Sequence, residues 1–132
     1  MKDLMSLSGP WTGLSIQGKQ RLTERMQIRL GDNRIHGTGI DVDGDFVIDG
    51  VYDPDTQAVH IVRRYTRVTW PVYGATFALY DYRGTWDGQM IAGNWRQRDD
   101  FTNGGPFEMW PDREEDQEER TIQIEEAVGT NT

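Results

Sequence analysis

The sequence predicts an all-β fold: an antiparallel up-and-down (meander) barrel of about eight strands. Three observations carry this. Short alternating segments, separated by turn residues, recur about every ten to fourteen positions. Asp43-Gly44 is a strong hairpin signal, because Asp-Gly tolerates the positive φ of a two-residue turn. No stretch keeps a helical period over three turns.

The elements follow in order. Trp11 to Gln17 reads as the first strand. Thr23 to Leu30 alternates cleanly, with Met26, Ile28 and Leu30 on one face and Arg25, Gln27 and Arg29 on the other. Gly31-Asp32-Asn33 is a turn, and Arg34 to Val42 is the third strand. After Asp43-Gly44, Asp45 to Tyr52 is the fourth, stopped by Asp53-Pro54-Asp55-Thr56. Ala58 to Thr66 is the fifth, Val72 to Tyr82 the sixth and Trp86 to Arg96 the seventh. Asp99 to Pro106 is polar and Gly-rich and reads as a loop; Pro106 to Trp110 is the eighth strand. Thr121 to Val128 alternates again, as either a ninth strand or a tail.

One pattern repeats. Gly9-Pro-Trp11-Thr-Gly13-Leu-Ser-Ile16-Gln-Gly18 and Gly84-Thr-Trp86-Asp-Gly88-Gln-Met-Ile91-Ala-Gly93 share G-x-W-x-G-x-x-I-x-G. Ile-x-Gly recurs at Ile35/Gly37 and Ile48/Gly50. A glycine on the same face as a β-branched residue suits a strand that bends or admits a bulky neighbour, as barrels require. Closing a meander of this kind removes exposed edges. A seven-strand sandwich is the alternative, but it calls for longer crossovers than are visible here.

The chain of 132 residues holds one domain. We divide it into a lead-in (1–10), the barrel (11–110) and an acidic C-terminal extension (111–132). Fourteen aromatics oppose disorder, and the absence of cysteine excludes disulfides and thiolate chemistry. The net charge of −8 is uneven, since residues 112 to 126 carry −6 and leave a nearly neutral body. That distribution offers no basic face, so nucleic acid is not an expected partner. No apolar run is long enough to span a membrane, and the start is too short and polar for a signal peptide, so no membrane partner is expected and the expected location is cytoplasmic.

Gly9-Pro10-Trp11, at the head of the first strand of a meander, resembles the N-terminal G-x-W signature of the calycins, which include the lipocalins, fatty-acid-binding proteins and the avidin/streptavidin family. The length is closest to the avidin type. The resemblance implies a barrel whose Trp11 closes one end, often against a basic side chain from a late strand, for which Arg113 and Arg120 are candidates. The later lipocalin motifs are missing, and no biotin-binding set aligns.

The residues themselves offer several candidate sites. Arg63, Tyr65 and Arg67 alternate onto one face of the fifth strand. Facing inward, the two guanidinium groups would suit a carboxylate or phosphate; facing outward, they are solvated surface residues. Tyr65, Tyr73, Tyr80, Tyr82, Trp86 and Trp95 make the second half aromatic, as in a pocket wall or as core filler. Asp41-Val-Asp43-Gly44-Asp45 lacks the Gly and Glu positions of a calcium loop and is read as a turn. His36 and His60 have no third ligand type beside them, so neither a metal nor another cofactor is indicated. No catalytic signature is present; an acid facing the lumen, such as Asp49 or Glu108, would be needed for acid–base chemistry.

The expected function is non-enzymatic: a small apolar or amphipathic ligand held in the barrel by Tyr65, Tyr80, Tyr82, Trp86 and Trp95, with Arg63 or Arg67 orienting an anionic end. The second expectation is an interaction or self-association module, such as a homo-oligomer, with its lumen filled by side chains.

Overall fold

The computed structural model describes residues 2–69 and 75–112. Among them eight strands run β1 (Gly9–Gln17), β2 (Gln20–Gly31), β3 (Arg34–Asp41), β4 (Gly44–Asp53), β5 (Ala58–Val68), β6 (Leu79–Trp86), β7 (Ile91–Gln97) and β8 (Asp100–Pro111). Each pairs antiparallel with the next, and β8 returns to β1 through Trp11↔Pro111 to Ser15↔Phe107, closing the barrel. The acidic run from 113 onward, the candidate ninth strand Thr121 to Val128, Arg113, Arg120 and Tyr73 lie outside the described residues.

Alternation produces the inside and outside. On β2, Glu24, Met26 and Ile28 are buried while Arg25, Gln27 and Arg29 are exposed. On β5, Val59, Ile61, Arg63 and Tyr65 are buried in the same rhythm. The apolar core therefore runs through the inside of the barrel, and Trp11, Ile35, Trp86 and Ile91, among its most buried members, belong to one end of it.

That end is plugged from the N-terminal side. A 3-10 turn, Leu4–Ser6, brings Leu4 to complete burial. Trp11 and Trp86, the two tryptophans of the repeated sequence unit, meet there with ring centroids 6.1 Å apart. The Trp11 indole N–H donates to the Leu7 carbonyl at 2.8 Å, and the Trp86 indole N–H donates to the Lys2 carbonyl at 3.0 Å. Each tryptophan thus has its apolar body in the core and its polar edge tied to the lead-in, which is how a buried indole avoids an orphaned donor.

Four local expectations are corrected. The sixth strand begins at Leu79, because Ala75–Phe77 forms a 3-10 turn. Trp86 ends β6 and does not open the seventh strand, which starts at Ile91 after a turn whose Asp87 carboxylate accepts from the Gln89 and Met90 amides. The segment Asp99 to Pro106 is mostly strand: β8 runs from Asp100. Its glycines mark close packing, since a Cβ on Gly105 would stand 2.1 Å from the Ile16 carbonyl oxygen. The register with β7 passes from Gln97↔Asp100 to Arg96↔Gly104, so Phe101 to Asn103 lack cross-strand partners there, and the segment's polar side chains and glycines read as a loop.

The β3–β4 turn lies one residue earlier than Asp43-Gly44. Val42 and Asp43 form its tip, and Asp41 pairs with Gly44. The Asp41 carboxylate sets this, accepting from the amides of Asp43 and Gly44 at 2.8 and 3.2 Å. Gly44 is held at φ +149°, where a Cβ would lie 1.9 Å from the Arg67 carbonyl oxygen.

Candidate functional site

Hairpin order places the β1–β2, β3–β4 and β7–β8 turns at the end opposite the tryptophan plug. There the barrel opens into a cavity of about 570 Å³. Its wall carries Tyr65, Tyr80, Tyr82 and Trp95; Leu22 and Phe77 stand among its apolar lining. The aromatic rings touch in series. Tyr65 meets Tyr80 edge-on at 5.8 Å, Tyr80 lies 6.2 Å from Trp95, and Trp95 stacks on Tyr82 at 6.3 Å. Trp95 is fixed by its indole N–H, which donates to the Ile16 carbonyl at 3.2 Å.

A charged network sits among these rings. Arg63 and Glu24 are each about 4% exposed and form a two-pronged pair at 2.8 and 2.6 Å. The guanidinium is held between two rings, 3.8 Å from the Phe46 centroid and 4.4 Å from that of Tyr82. Ser15 donates its hydroxyl to Glu24 at 2.8 Å. Asp41, whose side chain is also buried, is 3.6 Å from Arg63 and accepts a hydrogen bond from the Tyr65 hydroxyl. Burial raises the Asp41 pKa above the ordinary carboxylate value, although the Tyr65 hydrogen bond, the Asp43 amide and Arg63 pull it back. Burial likewise pushes the Tyr65 and Tyr82 phenols well above their usual value, so both remain protonated at neutral pH. The Arg63 Nε has no hydrogen-bond partner among the described residues.

The structure brings Arg63, Tyr65, Tyr80, Tyr82 and Trp95 together and separates the other two candidates from them. Arg67 faces solvent, where its guanidinium pairs with Asp45 at 2.8 Å. The cause is a bulge: Asp45 pairs with Arg67 and Phe46 with Tyr65, so Thr66 is an extra residue and the alternation reverses after Tyr65. Trp86 belongs to the plug at the far end. Neither arginine is a free hook for an anion, since Arg63 is engaged by Glu24 and Arg67 lies outside. Asp49 and Glu108 are also outside, both exposed, and Asp49 is bonded to His36.

Glu24 and Ser15 were not among the candidates, and Asp41 was read only as part of a turn. Glu24 did carry a signal. It shares its parity with Met26, Ile28 and Leu30, and a carboxylate on an inward face calls for an inward cation.

His60 lies on the outer face, where its Nε2 is 2.8 Å from Asp81, a carboxylate that also receives both Arg98 nitrogens at 3.0 and 2.8 Å. The Arg98 hydrogen bonds hold the Asp81 pKa well below the usual carboxylate range against the opposing effect of burial, with a lesser contribution from His60. A depressed carboxylate contributes stability that is complete above its unfolded value, about 4, and is lost as pH falls toward the folded one. Asp81→Asn is therefore expected to flatten the acid-side decline of the urea midpoint below about pH 4. Superimposable profiles for the two proteins would show that the cluster adds nothing.

The fold and site define a class: a closed eight-stranded antiparallel barrel, plugged at one end and open at the other onto an aromatic cavity with a buried ion pair. Among the described residues no helix is long and apolar enough to cross a membrane. The chain matches no family model, no curated protein and no solved structure at a level that carries relationship.

Proposed function

We propose that the protein binds one small amphipathic molecule in the open end of the barrel. The observation that carries this reading is the cavity of about 570 Å³ walled by Tyr65, Tyr80, Tyr82 and Trp95, a volume within the range of small-molecule sites. The plugged opposite end supports it, because a ligand buried against the rings has one way in and a firm floor. The arrangement is what the calycin resemblance of Gly9-Pro10-Trp11 implies, and we extend that likeness to the mode of binding. Rings supply the apolar contact, while the Arg63–Glu24–Asp41–Tyr65 network orients the polar end.

The competing reading is an interaction or self-association module. Exposed Val42, Phe77 and Phe101 favour it, all belonging to segments at the open end. An open cavity supports the carrier over a filled barrel, and the two readings differ in mass. Native mass spectrometry of gently purified full-length protein is expected to give a small adduct that denaturation releases. A bare multiple of the chain mass, with no response of the Trp95 indole N–H resonance to a library of small amphiphiles, would favour the module.

A further inference from the structure

The nearly neutral body conceals an uneven outer surface. β1 holds no charged residue, and the carboxylates of Glu24 on β2 and Asp41 on β3 are buried against Arg63 inside the barrel. The charged side chains left outside on β1–β3 are Arg21, Arg25, Arg29 and Arg34, all exposed, and His36, which Asp49 engages. Among the described residues none of the four arginines is in an ion pair. Lys19 and Asp32 stand in the turns that bound this stripe. Arg21, Arg25 and Arg29 recur every fourth residue, so they share the outer face at intervals of about 13 Å. The end of β8 lies beside them. The Asp112 amide donates to the Pro10 carbonyl at 2.9 Å, and its carboxylate accepts from the Thr12 hydroxyl at 2.6 Å. Thr12 is the cross-strand partner of Arg25. The chain therefore leaves the barrel on its outer face, two strand spacings, or about 10 Å, from β2. Twenty residues follow, and Glu114, Glu115, Asp116, Glu118 and Glu119 come first with no base among them. Glu114 and Glu118, like Glu115 and Glu119, are four apart, so this run in extended form presents carboxylates at the spacing of the β2 arginines. Ile122 and Ile124 come next, and Ile40, 50% exposed and paired across the strands with Arg25, offers them an apolar contact.

From these observations we propose that the acidic run 114–119 of this same chain lies along the arginine stripe of β2 and β3, a strap held by charge across the outside of the barrel. Exposed pairs of this kind are individually weak. Tethering makes the contact intramolecular, at an effective concentration of about millimolar for a short connection, so several weak pairs close together. The strap covers the one face of β1–β3 on which a foreign polyanion would otherwise sit.

The sequence has no cysteine, so Gln117→Cys gives a single attachment point for a nitroxide in the middle of the run, in the full chain. Paramagnetic broadening is expected at the amides of Arg25, Arg29 and Arg34. The amides of Arg83 and Asn94, paired on β6 and β7 across the barrel, should keep their intensity. The broadening should be lost at about 1 M salt, where the Debye length falls to about 3 Å. It should be lost equally in the triple variant Arg25→Gln, Arg29→Gln and Arg34→Gln, whose cooperative urea transition shows that it folds. No selective broadening at these amides, or broadening that ignores both salt and the triple variant, would overturn the strap. Equal broadening with the nitroxide and the isotope label on different chains would assign the contact to a second copy instead. Arginine amides that ignore the nitroxide yet shift with a short oligonucleotide would make the stripe a nucleic-acid surface.

Discussion

Glu24→Ala is expected to destabilise the barrel by about 3–5 kcal/mol, a large share of the 5–15 kcal/mol typical of a single domain. The substitution removes little apolar contact. Its cost comes from Arg63, which is left charged, about 4% exposed and missing the partner that takes both its terminal nitrogens. Asp41 is the nearest substitute, but it is already occupied by the amides of Asp43 and Gly44 and by the Tyr65 hydroxyl. The diagnostic experiment is a double replacement. Glu24→Leu with Arg63→Met removes both charges and fills similar volume, so most of the loss should return. Urea unfolding of the single and double variants measures both quantities. A Glu24→Ala protein within about 1 kcal/mol of the parent would mean that water reaches Arg63 through the open end. The pair would then be a feature of the binding site more than of the core. In either case the network places a fixed charge distribution beneath the cavity, which a featureless apolar lumen would not need.

Trp86→Ala should cost a comparable amount, about 3–5 kcal/mol, for a different reason. Trp86 is 1% exposed, packs on Trp11 and holds the Lys2 carbonyl. Truncation leaves a void that the barrel wall closes poorly, because eight hydrogen-bonded strands resist collapse inward. It also releases one of the two indole tethers on the lead-in. Hydrogen exchange should therefore quicken at the Ser6 and Leu7 amides, which donate to the Asp3 and Leu4 carbonyls. The resonance of Trp95, at the other end, should barely move. Trp86→Phe separates the two contributions, retaining most of the packing while losing the N–H donor. If exchange in the lead-in is unchanged by Trp86→Ala, the plug is held by Leu4 and Trp11 alone.

Much of this architecture was legible in the residues, and the misses have physical causes. Strands whose alternation is chemically sharp, such as β2 with arginines outside and Met26 and Ile28 inside, were read correctly because one face must be apolar. The start of β8 was not, because Gly104 and Gly105 serve close backbone approach and not hydrophobicity. Arg67 was misplaced by a single bulged residue, which reverses every side chain beyond it and leaves no mark in composition. In the site, the aromatic set was visible, whereas the partnership of Glu24, Arg63 and Asp41 was not. These residues lie on β2, β5 and β3, and only closure of the sheet brings them together.

The sequence by itself determined the class of fold, the hairpin order, the side of most strands and the repetition of a tryptophan unit. These depend on local rules: a period of two, turn residues with special φ, and burial of one face. Tertiary structure decided that the two tryptophans form one plug, that Arg67 leaves the lumen, and that Arg63 is neutralised within it. Those outcomes depend on distances across a closed barrel and on which charges are already spent, and neither quantity exists until the last strand pairs with the first.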